Sequence, residues 1–262
     1  MHRIRTTAVL AAIVAAAASP ASAQREDTFR WSGQLAAGKT LEVRGVNGDI
    51  EARPASGGTV EIVALKKGDD DDPRMVNVEV VEGPDGVQVC AVYPGKRGTR
   101  VSSCRDSHNS DDIDENDVVV DFTVSVPTGV VLDAGTVNGG IDVSGLRGDV
   151  RVSSVNGGIE VASTGTVEAS TVNGSIKAST GSGSWSGTLD FQTVNGSVTL
   201  TLPAGAGASI SAETVNGDFS SDFPLTVEAG RWGPKRIHGT IGSGGGRLNI
   251  QTVNGGIAIR KS

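Results

Sequence analysis

One tripeptide, Val-Asn-Gly, occurs seven times in these 262 residues, starting at Val46, Val137, Val155, Val172, Val194, Val215 and Val253. From the second copy on, its asparagines fall at 138, 156, 173, 195, 216 and 254, at intervals of 18, 17, 22, 21 and 38. A period of about 20 residues marks a solenoid, because one such unit cannot bury its own apolar face and stacked units can share a core. The last interval is double length, and Ile237-His238-Gly239-Thr240-Ile241 inside it reads as a degraded copy with His in place of Asn.

The unit is longer than its tripeptide. Leu132-x-Ala134-x-Thr136, Val150-x-Val152-x-Ser154, Val167-x-Ala169-x-Thr171, Leu189-x-Phe191-x-Thr193, Ile210-x-Ala212-x-Thr214 and Leu248-x-Ile250-x-Thr252 all run into Val-Asn-Gly. Side chains alternate along a strand, so each is a short strand with one inward face. Leu41-x-Val43-x-Gly45 before Val46 has the same form and adds a further unit from the N-terminal segment.

Asn-Gly tolerates the positive φ of a tight hairpin turn better than other pairs. A two-residue hairpin would put Val172 and Ser175 on one face and Ile176 on the other. Each copy instead keeps an apolar or aromatic residue at both the Val and the Ile position, which favours a corner sending both inward. Stacked rungs about 4.8 Å apart would then align Asn47, Asn138, Asn156, Asn173, Asn195, Asn216 and Asn254 as an amide ladder, buried or half-buried at the bend. The competing use of these amides is a row of glycan contacts.

The first 23 residues read as a secretory signal, with Arg3 and Arg5, an apolar run from Ala8 to Ala18, and the small-residue site Ala21-Ser22-Ala23. The run is too short to cross a bilayer, which takes about 20 residues, and none of that length follows. Residues 24–128 hold longer alternating runs, TVEIVAL, VNVEVVEG, VQVCAVYP and VVVDFTVSVP, expected to form an antiparallel sheet with Pro84-Asp85-Gly86 as a turn. Residues 129–262 hold the repeats. The resulting architecture is all-β, a single-stranded β-helix-like solenoid carrying an N-terminal antiparallel segment that packs on it or caps it.

In an exported chain the lone pair Cys90 and Cys104 reads as a disulfide. Seven acids lie between Asp106 and Asp121, in a polar loop. Asp112-Ile-Asp114-Glu-Asn116 begins like a calcium loop, but Asp117 stands where Gly is needed and Thr123 where Glu is needed. Calcium held in another geometry by the Asp106 to Asp121 acids is the one metal these residues suggest, and no other cofactor or metal is expected.

Without Arg3 and Arg5 the chain carries 21 basic and 30 acidic residues, leaving no basic footprint for nucleic acid or anionic lipid. The catalytic inventory is thin. His108 and His238 have no ligand partner at a metal spacing. Asp142 and Glu160 share a slot after the repeat Ile and would stack on adjacent rungs, with Lys177 next; the basic neighbour makes this a solvated face more than a glycosidase pair. Trp185 and Trp232, in breaks between units, are candidate surface contacts or plugs over the core.

On Leu41-Glu-Val-Arg-Gly-Val-Asn-Gly-Asp-Ile50, on Val120-Asp-Phe-Thr-Val-Ser-Val-Pro-Thr-Gly129 leading into Thr136-Val-Asn-Gly-Gly-Ile141, and on the repeated Asn-Gly-x-Ile units, the chain resembles the bacterial "putative adhesin" family of β-strand-repeat envelope proteins, a domain of unknown function. The resemblance covers nearly all of the mature chain and implies a fold more than an activity. The expected function is an exported, non-enzymatic adhesin-like or scaffolding module, periplasmic or at the cell surface. Its partner would be a cell-wall or surface glycan or an envelope protein. The alternatives are a carbohydrate-active β-helix enzyme and an envelope-stress sensing module.

Overall fold

The structure, a computed structural model, describes residues 25–95, 116–228 and 234–262. Its strands begin with β1 (Arg25–Gln34), β2 (Thr40–Arg44), β3 (Ile50–Pro54), β4 (Thr59–Gly68), β5 (Asn77–Gly83), β6 (Gly86–Val92) and β7 (Val119–Val126). The repeats then supply β8 (Val131–Asn138), β9 (Ile141–Leu146), β10 (Val150–Asn156), β11 (Ile159–Ser163), β12 (Val167–Ser170), β13 (Ile176–Thr180), β14 (Thr188–Gln192) and β15 (Val198–Leu202). The chain closes with β16 (Ala208–Asn216), β17 (Phe219–Ser221), β18 (Thr226–Glu228), β19 (Lys235–Ile241), β20 (Gly246–Asn254) and β21 (Ile257–Lys261).

These strands make two sheets, ordered β1-β4-β7-β3-β9-β11-β13-β15-β21-β17 and β18-β19-β16-β20-β14-β12-β10-β8-β2-β6-β5. Each Val-Asn-Gly joins a strand of the second sheet to a strand of the first, so one repeat is one rung of a β-solenoid. Equivalent residues pair in register: Val150 lies beside Leu132 and Val167, and Ile159 beside Ile141 and Ile176. The inward residues Leu, Val, Ile, Ala and Phe of both sheets form one continuous core in which Ile176, Leu189 and Phe191 are buried. Fully burying one such aliphatic side chain stabilises by about 1.5–3 kcal/mol, which lets a core this narrow hold the stack.

Several expectations change. The rungs do not stack in chain order, because β20 lies between β14 and β16, and β21 between β15 and β17. Residues 237–241 are no degraded copy: they belong to β19, which runs antiparallel to β16 and covers its free edge. The four N-terminal runs do not share one sheet; β4 pairs with β7 in the first sheet and β5 with β6 in the second, with a turn at Pro84-Asp85. β1, unforeseen in the sequence, pairs antiparallel with β4 along ten residues. The sheets run without a break past residue 128, since β3 lies between β7 and β9, and β2 between β6 and β8.

Candidate functional site

The rungs bring all seven asparagines into one line, in the order 47, 138, 156, 173, 195, 254, 216. Each side-chain amide donates to the carbonyl oxygen of the preceding one: Asn138 Nδ2 to Asn47 Oδ1, Asn156 to Asn138, Asn173 to Asn156 and Asn195 to Asn173, all at 2.8 Å. Asn254 donates to Asn195 at 2.8 Å and Asn216 to Asn254 at 2.9 Å, so every bond points the same way.

The flanking positions serve the same corner. In every copy but the first, where Gly45 stands, the hydroxyl before Val-Asn-Gly faces inward and donates to the glycine carbonyl of the adjacent rung, as Ser154 does to Gly139 at 2.9 Å, Thr171 to Gly157 at 3.0 Å and Thr193 to Gly174 at 2.8 Å. Glycine is required by proximity. A Cβ on Gly157 would collide with the Gly139 carbonyl, and one on Gly174 with that of Gly157. Of the seven corner glycines only Gly48 has positive φ, at 124°, so the conformational reason read from Asn-Gly does not hold for the others.

Two further corrections concern exposure. The asparagines beyond Asn47 are exposed, so the ladder lies on the outside of the bend. The valines point out as well: Val155, Val172, Val194, Val215 and Val253 are 39–43% exposed, and the inward place expected for them is taken by Thr or Ser. The corner is real, but it is built by an inward hydroxyl and an inward Ile two strands' faces apart.

A face lies on each side of the ladder. After the corner, Asp49, Glu51, Arg53, Asp142, Glu160 and Lys177 line an open cavity of about 480 Å³. Asp142 and Glu160 do pair across adjacent rungs, with Lys177 beside Glu160. Arg53 donates to Asp142 at 2.6 Å and holds its carboxyl below the usual carboxylate range, opposite to what a general acid needs. Lys177 stands 3.7 Å from Glu160 with both side chains mostly in solvent. Before the corner, a groove of about 470 Å³ runs over five rungs and is lined by Val172, Val194, Val215 and Val253 together with Ser170, Gln192 and Gln251. Its one charged residue, Glu213, pairs with Arg236 at 3.4 Å.

The remaining candidates are dispersed. Trp185 is half-buried, folds over Gly246 and donates from Nε1 to the Arg247 carbonyl at 3.1 Å, a plug over the core at the break between rungs. Trp232, Cys104, His108 and the acids from Asp106 to Glu115 lie outside the described residues. Cys90 is buried against Val81, and among the described residues no cysteine is free. Asp117 accepts from the backbone N–H groups of Asp70, Asp71 and Asp69 at 2.7, 3.0 and 3.1 Å, which lowers its pKa below the usual carboxylate value. Among the described residues no three metal-ligating side chains cluster, and no helix is long and apolar enough to cross a membrane. Thr180 is buried and donates to the Gly165 carbonyl at 2.6 Å.

The family described as Toastrack DUF4097 matches residues 99–260, well over half of the chain. No curated protein matches it. Among solved structures it is similar to a "putative cell adhesion protein" from Clostridium sporogenes, at 11% identity and a TM-score of 0.39, covering 90% of this chain and 100% of that one. A "putative adhesin" from Bacteroides fragilis matches at 11% identity and 0.30, covering 89% and 97%. A "putative lipid binding protein" from Parabacteroides distasonis matches at 11% and 0.31, covering 91% and 97%.

Proposed function

The chain belongs to the Toastrack DUF4097 family, and from that premise we propose that it is an exported, non-catalytic module that presents a rigid solenoid surface to a component of the cell envelope. The observation that carries this reading is the corner. Its Asn, Gly and Thr or Ser tie each rung to the next, leaving two long faces fixed in geometry and open to solvent. A surface that needs no rearrangement to bind loses little conformational entropy on contact, which suits attachment to an extended partner.

Export follows from the N-terminal signal, and Cys90 with Cys104 forms the bridge of the exported form; intact mass after secretion should show cleavage after Ala23 and two hydrogens fewer than the reduced chain. The function is tested by sedimenting the secreted protein with isolated envelope fractions and by a hydrolysis screen on peptidoglycan and common polysaccharides. Retention on an envelope fraction without turnover is expected. Turnover that vanished in an Asp142→Asn, Glu160→Gln double variant would replace this reading with an enzyme.

A further inference from the structure

The solenoid accounts for every residue of the repeated corner except one. Thr or Ser caps a carbonyl, Asn bonds Asn, and Gly makes room for the next rung. Val does none of these and is about 40% exposed at Val155, Val172, Val194, Val215 and Val253, yet it is the same residue in all seven copies. Strand propensity alone would accept Ile, Thr or Tyr there as well. The next outward column shows how freely such a position varies, reading Arg44, Gly135, Ser153, Ser170, Gln192 and Gln251 along successive rungs. An unforced and unvaried exposed valine points to something outside the fold.

We propose that the valine column is the binding track for a neutral, extended β-1,4-linked glycan lying along the solenoid axis, with one sugar ring per rung; this deepens the envelope-binding reading and rests on it. Three features select that ligand. Among the described residues the groove over the column has one charge, Glu213, already paired with Arg236, so an anionic or cationic polymer would find no partner among them. An apolar stripe sits between two amide-bearing borders, the Asn ladder on one side and Gln192 and Gln251 on the other, which matches a sugar's C–H face flanked by hydroxyls. Each internal ladder amide, from Asn138 to Asn254, uses one N–H and one acceptor site within the ladder, leaving one of each for a hydroxyl at its rung, about 4.8 Å apart.

Size argues against a second copy or a folded partner. Five rungs by three residues give a strip on the order of 300 Å², well under the roughly 800 Å² per partner of a stable protein interface. A linear oligosaccharide needs no more than this.

The experiment is calorimetric titration of the secreted protein with cellohexaose and with chitohexaose, alongside a Val172→Thr, Val194→Thr, Val253→Thr variant that keeps side-chain shape and strand preference. Saturable binding of at least one hexamer, weakened at least tenfold in the variant, is expected. A methyl-labelled wild-type sample guards against a misfolded variant: shifts must concentrate at the valines of the column. The proposal is overturned by no saturable binding at millimolar hexamer, by equal binding in the variant, by methyl shifts confined to other residues, by preference for a carboxymethylated hexamer, or by a wild-type dimer that the variant dissolves. Retention on envelope fractions with no hexamer binding would sink the glycan track alone and leave the envelope reading standing.

Discussion

Gly157 and Gly158 are adjacent and neither has positive φ, yet their places in the stack give them opposite fates. A Cβ on Gly157 would land on the Gly139 carbonyl of the adjacent rung, whereas one on Gly158 meets nothing closer than the Ser175 carbonyl at 3.7 Å, an ordinary contact. To accept Ala at 157, the two rungs must part at the corner. That movement breaks the Gly139 N–H to Asn156 carbonyl bond at 3.0 Å, the Ser154 hydroxyl bond to Gly139 at 2.9 Å, and the Asn156 to Asn138 amide bond at 2.8 Å. At a net contribution of about 1 kcal/mol each, the loss is about 3 kcal/mol, a large part of a stability of roughly 5–15 kcal/mol. For a chain this long it lowers Tm by about 6–12 °C. Gly158→Ala should stay within about 0.5 kcal/mol of wild type or gain slightly through the unfolded chain. Urea and thermal melts of both variants decide the matter, and Gly157→Asn sharpens it, since Asn tolerates left-handed φ but not a blocked approach. Equal stability of Gly157→Ala and Gly158→Ala, or a neutral Gly157→Asn, would refute the stacking account.

Asn173→Ala removes two ladder bonds from an exposed position, and should cost about 1 kcal/mol in a thermal melt. Asp27→Asn should cost about 2 kcal/mol by urea titration, because the Lys66 ammonium, buried between Asp27 and the Val76 carbonyl, loses its countercharge. Asp117 has a folded pKa below its unfolded one, so its contribution is complete at neutral pH and declines as pH falls through the carboxylate range toward the depressed folded value. Asp117→Asn should therefore flatten the acid limb of the urea-midpoint curve, a change absent if the Asp69–Asp71 N–H groups do not hold the carboxylate.

The solenoid was legible because its signal is periodic: five-residue strands ending in one tripeptide can only recur at a fixed spacing if they stack. The inward faces, Leu132 and Ala134 or Val150 and Val152, followed from alternation alone. What failed were inferences from residue type at the corner. An apolar side chain suggests an inward Val, although alternation from Ala134 and Thr136 places Val137 on the outward side. Asn-Gly suggests a φ device because it usually is one, while the carbonyl that excludes a Cβ belongs to a rung whose proximity no local pattern reveals. β1 was missed since Arg25, Glu26, Asp27 and Arg30 mask the alternation of Phe29 and Trp31. Of the candidate site, the Asp142–Glu160–Lys177 line was visible as a shared slot, but Arg53, which comes from β3, was not.

Rung order was hidden for a different reason, and it leads to a prediction about the C-terminus. In a parallel in-register stack, any Leu-x-Ala-x-Thr strand fits beside any other, so sequence cannot say which rungs touch. The expected sequential stack would make residues 246–262 a terminal rung, whose deletion removes one interface and leaves the others intact. In the structure that rung is internal: β20 pairs with β14 on one side and along eight positions with β16 on the other. β21 in turn joins β15 to β17. A chain ending at residue 245 would expose the flanks of β14 and β15 and strip β16 and β17 of their parallel neighbours, leaving β16 paired, among the described strands, with β19. Its residues 208–241 should then exchange amide hydrogens at nearly unprotected rates, while residues 131–180 stay protected. A chain ending at residue 202 should be the more soluble of the two, because it lacks the orphaned hairpin. Retained protection of 208–241 in the 245-residue chain would show that β16 docks directly on β14, and that the inserted rung is no keystone.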